Sequence, residues 1–145
     1  MSCEYCKVDP LNRFIEAQSQ TYGDAIKEIK AGHKETHWMW WIFPQYKGLG
    51  ESELSKYYAI QDRKEAEGYW KHPILGERLR ECMRALLDLN TNDAEEILGE
   101  IDAIKLKACM TLFYFHGGEK LCCDVLARFF CGEIDLYTVR LLLEE

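Results

Sequence analysis

The chain has 145 residues, of which 48% are hydrophobic and 30% charged, and its net charge is −7. These values fit one globular domain with a core large enough to fold without staples, and they exclude a disordered chain. The acidic balance disfavours a nucleic-acid backbone or an anionic membrane as partner. The longest apolar run, Trp38 to Phe43, is far short of the roughly 18 residues of a membrane span.

The sequence begins Met-Ser-Cys-Glu-Tyr-Cys with no signal-peptide core, so a cytoplasmic location is expected. Residues 1–145 read as a single domain, with 1–8 as a flexible N-terminal extension. The seven cysteines are odd in number and fit reduced thiols. Cys82, Cys109, Cys122 and Cys131 fall in apolar helical patterns and read as small core residues.

Asp9-Pro10 is an N-cap followed by proline at the first helical position. Leu11, Phe14 and Ile15 give a first helical stripe. Tyr22, Ala25, Ile26 and Ile29 give a second helix, which Gly32 is placed to end. The block Trp38-Met39-Trp40-Trp41-Ile42-Phe43 leads into Pro44, which biases its end toward extended backbone. As a short buried strand or a helical turn, it lies beyond what periodicity can decide. Residues 44–55 form the one clear loop.

Beyond that loop the pattern is helix after helix. Asp62 caps a helix reaching Trp70, and His72-Pro73 breaks it. Leu75, Leu79, Cys82, Met83, Leu86 and Leu87 form the best amphipathic stripe. Thr91 or Asn92 caps a short helix to Leu98. Helices over 101–115, ended by Gly117-Gly118, then over 121–130 and 136–143 complete the set. The expected fold is mainly α: a single compact multi-helix domain with at most a short strand element within 38–60.

Two constellations could carry chemistry. The first, His33 to Ser55, sets His37, Lys34, Gln45, Lys47, Ser52 and Ser55 around three tryptophans and a Gly-x-Gly loop. Lys34 and His37, three apart, would share a face on a helical turn. The N–H groups of Gly48 and Gly50 can converge on an anion, and a tryptophan face suits a flat base or sugar. This reads as a pocket in which Lys34, Trp38, Gln45, Gly48, Gly50 and Ser52 bind a polar, phosphorylated ligand and His37 acts as acid or base. The competing reading is a core aromatic block followed by a turn.

The second constellation is Asp102 and Lys105. Ile101, Ala108, Leu112 and Phe115 mark an apolar face that Lys105 interrupts. A lysine in that position needs a partner or a polar cavity, and could bind an anion or position the Asp102 carboxylate. His37, Gln45 and Lys105 are therefore expected to line one pocket, with Gln45 to Ser52 as its rim. Cys3-x-x-Cys6 and His33-x-x-x-His37 have ligand-like spacings, but the gap between them is too long for a compact zinc site. No metal and no cofactor are expected.

From Gly32-His33-Lys34-Glu35-Thr36-His37-Trp38-Met39-Trp40-Trp41-Ile42-Phe43-Pro44-Gln45 onward, the sequence resembles a bacterial family, the domain of unknown function 1810, often mislabelled calpastatin. The resemblance continues through Gly48-Leu49-Gly50-x-Ser52, Tyr58-x-Ile60, His72-Pro73-x-Leu75-Gly76-x-Arg78-Leu79 and Ile97-Leu98-Gly99. It extends to Asp102-Ala103-x-Lys105-Leu106, Met110-Thr111-Leu112-Phe113 and Gly132-x-x-Asp135, and so spans nearly the whole chain. The Cys-rich start stands before the family's Asn-Arg-Phe opening at Asn12-Arg13-Phe14. The resemblance implies a mainly helical fold and no settled activity. The calpastatin label conflicts with the composition, because that inhibitor is disordered. The tract Pro73 to Arg78 and the Lys105 helix are faintly similar to helical glycosidases that process ADP-ribose-type linkages.

Two readings of function follow. One is a hydrolase or lyase acting on a small nucleotide or ADP-ribose-like ligand through His37, Asp102 and Lys105. The other is a non-catalytic ligand-sensing or protein-interaction module. Oligomeric state is not legible in the sequence.

Overall fold

The computed structural model describes residues 9–145. Asp9 Oδ1 accepts the Leu11 N–H at 3.0 Å, and its carbonyl accepts the Asn12 N–H at 2.9 Å. This local turn launches α1, Asn12–Ala31. One continuous helix replaces the two expected here. Gly23 points into open space, and the buried Phe14, Gln18, Ala25 and Ile29 keep one face inward throughout, so packing outweighs the helix-weakening glycine. Gly32, at φ 78°, ends it.

The Trp38–Phe43 block resolves as a single helical turn, α2 (Met39–Ile42). Trp38, Met39, Ile42 and Phe43 are buried, while Trp40 and Trp41 are half-buried. Within the expected loop sits a short helix, α3 (Glu53–Tyr57), which Ser52 caps. An isolated parallel bridge, Tyr46 to Ile60, is the strand-like element described between 38 and 60.

α4 (Arg63–Lys71) starts at Asp62, whose side chain accepts the Glu65 N–H. α5 (Leu75–Leu87) follows the His72-Pro73 break. There the His72 Nδ1 accepts the N–H groups of Ile74 and Leu75 at 3.0 and 3.2 Å. α6 (Ala94–Leu98) is capped by Asp93. Neither expected cap, Thr91 or Asn92, takes this place, and Thr91 instead accepts the Asp93 N–H. Gly99, at φ 89°, joins α6 to α7 (Glu100–Tyr114). α8 (Glu119–Phe130) and α9 (Leu136–Leu143) complete nine helices among the described residues. None is long and apolar enough to cross a membrane.

α7 is the central element, packed on α8, α6, α9 and α4. Ala103, Leu106 and the run Ala108 to Phe113 are all buried, so no single face is apolar. The expected stripe is therefore wrong at both ends: Ile101 is 70% and Phe115 43% exposed. Covering on several sides erases the 3.6-residue signal that marks a one-faced helix. The cysteines also divide. Cys82, Cys109 and Cys122 are buried, and burial pushes the Cys82 thiol up to about 12. Cys131 is exposed, because it forms the left-handed C-cap of α8 at φ 55°.

Candidate functional site

The site begins where α1 stops. Past Gly32 the chain crosses to the end of α6, where the Lys34 N–H donates to the Ile97 carbonyl at 2.8 Å. Glu28, in the last turn of α1, fixes this crossing. Its carboxylate accepts the N–H groups of Glu35 and Thr36, the Thr36 hydroxyl and the Trp38 indole N–H, at 2.6–3.0 Å. Burial alone would raise the Glu28 carboxyl, but these hydrogen bonds outweigh it and hold the group at about 2.

Anchored in this way, Lys34 meets the first turn of α7. Its Nζ lies 3.0 Å from Asp102 Oδ2. On the same turn, Lys105 Nζ lies 3.4 Å from Asp102 Oδ1. Two ammoniums thus share one carboxylate, and no other described carboxylate comes within ion-pair distance of either. The three side chains are 10–20% exposed. Beneath them are indoles: Lys34 Nζ is 5.0 Å from the Trp38 ring centroid and Lys105 Nζ 3.6 Å from that of Trp40. Ring quadrupoles stabilise such cations, yet the cluster keeps one positive charge in excess.

Lys34, Asp102 and Lys105 are therefore brought together. Trp38 is not a wall for a ligand, as its role in the sequence reading required. It is fully buried, with its N–H committed to Glu28. His37, expected to line a pocket with Gln45 and Lys105, is exposed, because the turn into α2 buries the following side chains, not this one. Ser52 is committed to capping α3. The two glycines permit close packing. Gly48, at φ 99°, has room for no Cβ without crowding Leu141 at 3.2 Å, and a Cβ on Gly50 would meet Ser55 Oγ at 2.6 Å.

Gln45 and Gly50 do line a cavity, together with Trp40, Leu49, Ser55 and Tyr58, but it measures about 20 Å³. That is room for one water, not for a nucleotide, and Lys105 is not among the residues that line it. The expectation of one main pocket at His37, Gln45 and Lys105 is corrected accordingly. Roomier clefts of about 430–630 Å³ lie elsewhere, at Leu89–Asn92 with Arg128 and on either side of Lys107. They are open to solvent and gather no comparable set of charges. His33 and His37 are both exposed. No group of three or more His, Cys, Asp or Glu among the described residues could hold a metal ion. Cys3 and Cys6 lie outside the described residues.

Sequence reasoning missed Glu28 and Trp40. An acid in the last turn of a helix opposes the macrodipole, and that mismatch was the available signal for Glu28. Nothing in the sequence distinguished Trp40 from its two neighbouring tryptophans.

A family model described as "Protein of unknown function (DUF1810)" matches residues 8–142. The crystal structure of a conserved hypothetical protein from Mycobacterium tuberculosis is similar, with 40% sequence identity and a TM-score of 0.90. The likeness covers 93% of this chain and 99% of that one. No curated protein matches the chain.

Proposed function

The chain belongs to the DUF1810 family, a family of unknown function, and from that premise we propose that it binds a small phosphorylated ligand, of nucleotide or ADP-ribose type, at Lys34, Asp102 and Lys105. The observation that carries this reading is the pair of ammoniums on a single carboxylate. A half-buried cation without its own counter-ion costs free energy, which a phosphate or carboxylate from outside offsets. The bulk of such a ligand lies on the solvent side of the cluster, because the neighbouring cavity is only water-sized. Turnover is the next step of the same reading. Asp102 takes the proton of an attacking water and passes it to the leaving group, and the lysines hold the negative charge.

Isothermal titration with inorganic phosphate, AMP and ADP-ribose tests binding, and product chromatography tests turnover. Binding of AMP or ADP-ribose that Lys34→Met and Lys105→Met each weaken at least about tenfold supports the site. Binding that both variants leave unchanged overturns it.

A second reading, a protein-interaction module, rests on a different surface. Ile101 and Ile104 of α7 are 70% and 62% exposed, and Leu136 and Tyr137 of α9 are 74% and 70% exposed. Lys107 borders two clefts, one lined by Ile104 and the other by Leu136 and Tyr137. Exposed apolar side chains gathered in this way mark contact surfaces. Sedimentation of the wild type and of Ile104→Asp separates the readings: self-association lost in the variant, with no ligand bound by the wild type, favours this one.

A further inference from the structure

Among the described residues, one buried side-chain polar atom has no hydrogen-bond partner, and it is the indole N–H of Trp40. Buried donors are nearly always paired, so an orphan asks for an explanation. Two further observations fall on the same ring. The Lys105 ammonium sits 3.6 Å from its centroid, and the ring lines the cavity of about 20 Å³ that Gln45 and Ser55 also line. The cavity accommodates one oxygen-sized group. It is kept that small by Gly50, since any Cβ there would push Ser55 away.

We infer that Trp40 is a ligand-binding residue: its N–H donates to an oxygen of the same anion that Lys34 and Lys105 hold, and that oxygen enters the cavity beside Gln45 and Ser55. This rests on the proposed anion site and deepens it, since it adds a neutral, directional donor to two cations. Ammoniums attract any anion, whereas a fixed N–H beside a cavity of one oxygen selects by shape. The ligand class is one that presents a tetrahedral or planar oxyanion with an oxygen able to project past the lysines, that is, a terminal phosphate or a carboxylate.

The experiment uses Trp40→Phe, which removes the N–H and keeps an aromatic face for Lys105. Wild type and variant are titrated calorimetrically with inorganic phosphate and AMP, and their thermal midpoints are measured without ligand. In wild-type protein labelled with ¹⁵N at the indole nitrogens, the Trp40 side-chain resonance, assigned by its absence from the variant, is followed through the phosphate titration. The expected result is a midpoint equal to or above wild type, binding at least fivefold weaker, and a Trp40 resonance that moves with saturation. If the wild type binds but the variant binds equally well and the resonance stays still, the N–H serves only a resident water. The inference then falls while the lysine site stands. If the wild type binds neither phosphate nor AMP, both fall. Should the variant fail to fold, the resonance is assigned instead by its through-space contacts to Lys105, whose ammonium lies 3.6 Å from the ring centroid, and decides alone.

Discussion

The protein holds two ion clusters of similar burial and different construction. At the first, Arg13 and Glu65 are 11% and 10% exposed. Arg13 spends all five N–H donors: two on Glu65, at 3.0 and 3.1 Å, and one each on the carbonyls of Pro10, Tyr57 and Ala59. One cation meets one anion, and nothing is left over. At the second, Lys34, Asp102 and Lys105 are 10–20% exposed, but two cations meet one anion, and a neighbouring indole N–H is unpaired. The first cluster is complete without anything else and ties the segment after α3 to α1 and α4. The second carries one cation in excess, which on the proposed reading an added anion balances. Burial alone does not distinguish the two clusters; the count of donors against acceptors does.

The sharpest way to break this comparison is at its balanced end. Arg13→Met leaves Glu65 without its guanidinium and takes one donor from each of three carbonyls, of which Ala59 keeps the Gln61 amide and Pro10 the Arg13 backbone N–H. The expected loss is about 3 kcal/mol in urea unfolding, since removing one partner of a buried pair strands the other. A loss below about 1 kcal/mol would make Arg13 an ordinary surface pair. Next in size is Asp102→Asn, which removes the one carboxylate between two ammoniums and should cost about 2 kcal/mol. Here the two clusters must behave differently: added phosphate should restore much of the Asp102→Asn midpoint by occupying the lysines and none of the Arg13→Met midpoint. Equal responses to phosphate would erase the distinction.

A smaller effect comes from the anchor that presents Lys34. The Glu28 carboxyl is held at about 2, against an ordinary 4.5. A lowered folded-state value means that the stabilisation is whole above pH 4.5 and is lost as pH falls toward 2. Glu28→Gln should therefore cost about 1 kcal/mol at neutral pH, and the gap to wild type should close between pH 4.5 and 2. A gap that stays constant across that window would show that the charge of Glu28 is not what holds the loop.

Legibility followed locality. The end of α1 and both ends of α4 were readable because Gly32, Asp62 and His72-Pro73 act on their own neighbours, whereas α1 starts two residues past the expected Pro10, with Leu11 and not Asp9 at its N-cap. The burial of the Trp38–Phe43 block was readable because that much apolar surface has nowhere else to go. α3 was lost inside a polar tract, as its five residues carry no periodic stripe. The inward face of α7 was unreadable because the helix is covered on several sides and its pattern has no preferred direction. Lys34, Asp102 and Lys105 could each be singled out by residue type. Their meeting depends on the Lys34-to-Ile97 hydrogen bond, a tertiary contact that no local pattern encodes. His37 was misplaced for a related reason: its neighbours in sequence are buried, but the turn that buries them leaves its own side chain outside.

The smallest expected stability change carries the most information about function. In Lys105→Met the linear side chain still covers the Trp40 ring, Asp102 keeps its closer partner Lys34 at 3.0 Å, and the cluster becomes one cation to one anion. The ion pair that is lost has its oxygen 3.4 Å from the ammonium and is partly solvated, so its contribution is at most about 1 kcal/mol, and the removal of an excess charge works in the opposite direction. Thermal unfolding should therefore differ from wild type by no more than about 0.5 kcal/mol in either direction, while calorimetric binding of AMP should fall at least about tenfold. A structural lysine would give the reverse pattern, with stability lost and any binding intact. The same substitution should also flatten the rise in midpoint that phosphate gives the wild type, so that stability and binding report on one site in one set of melts.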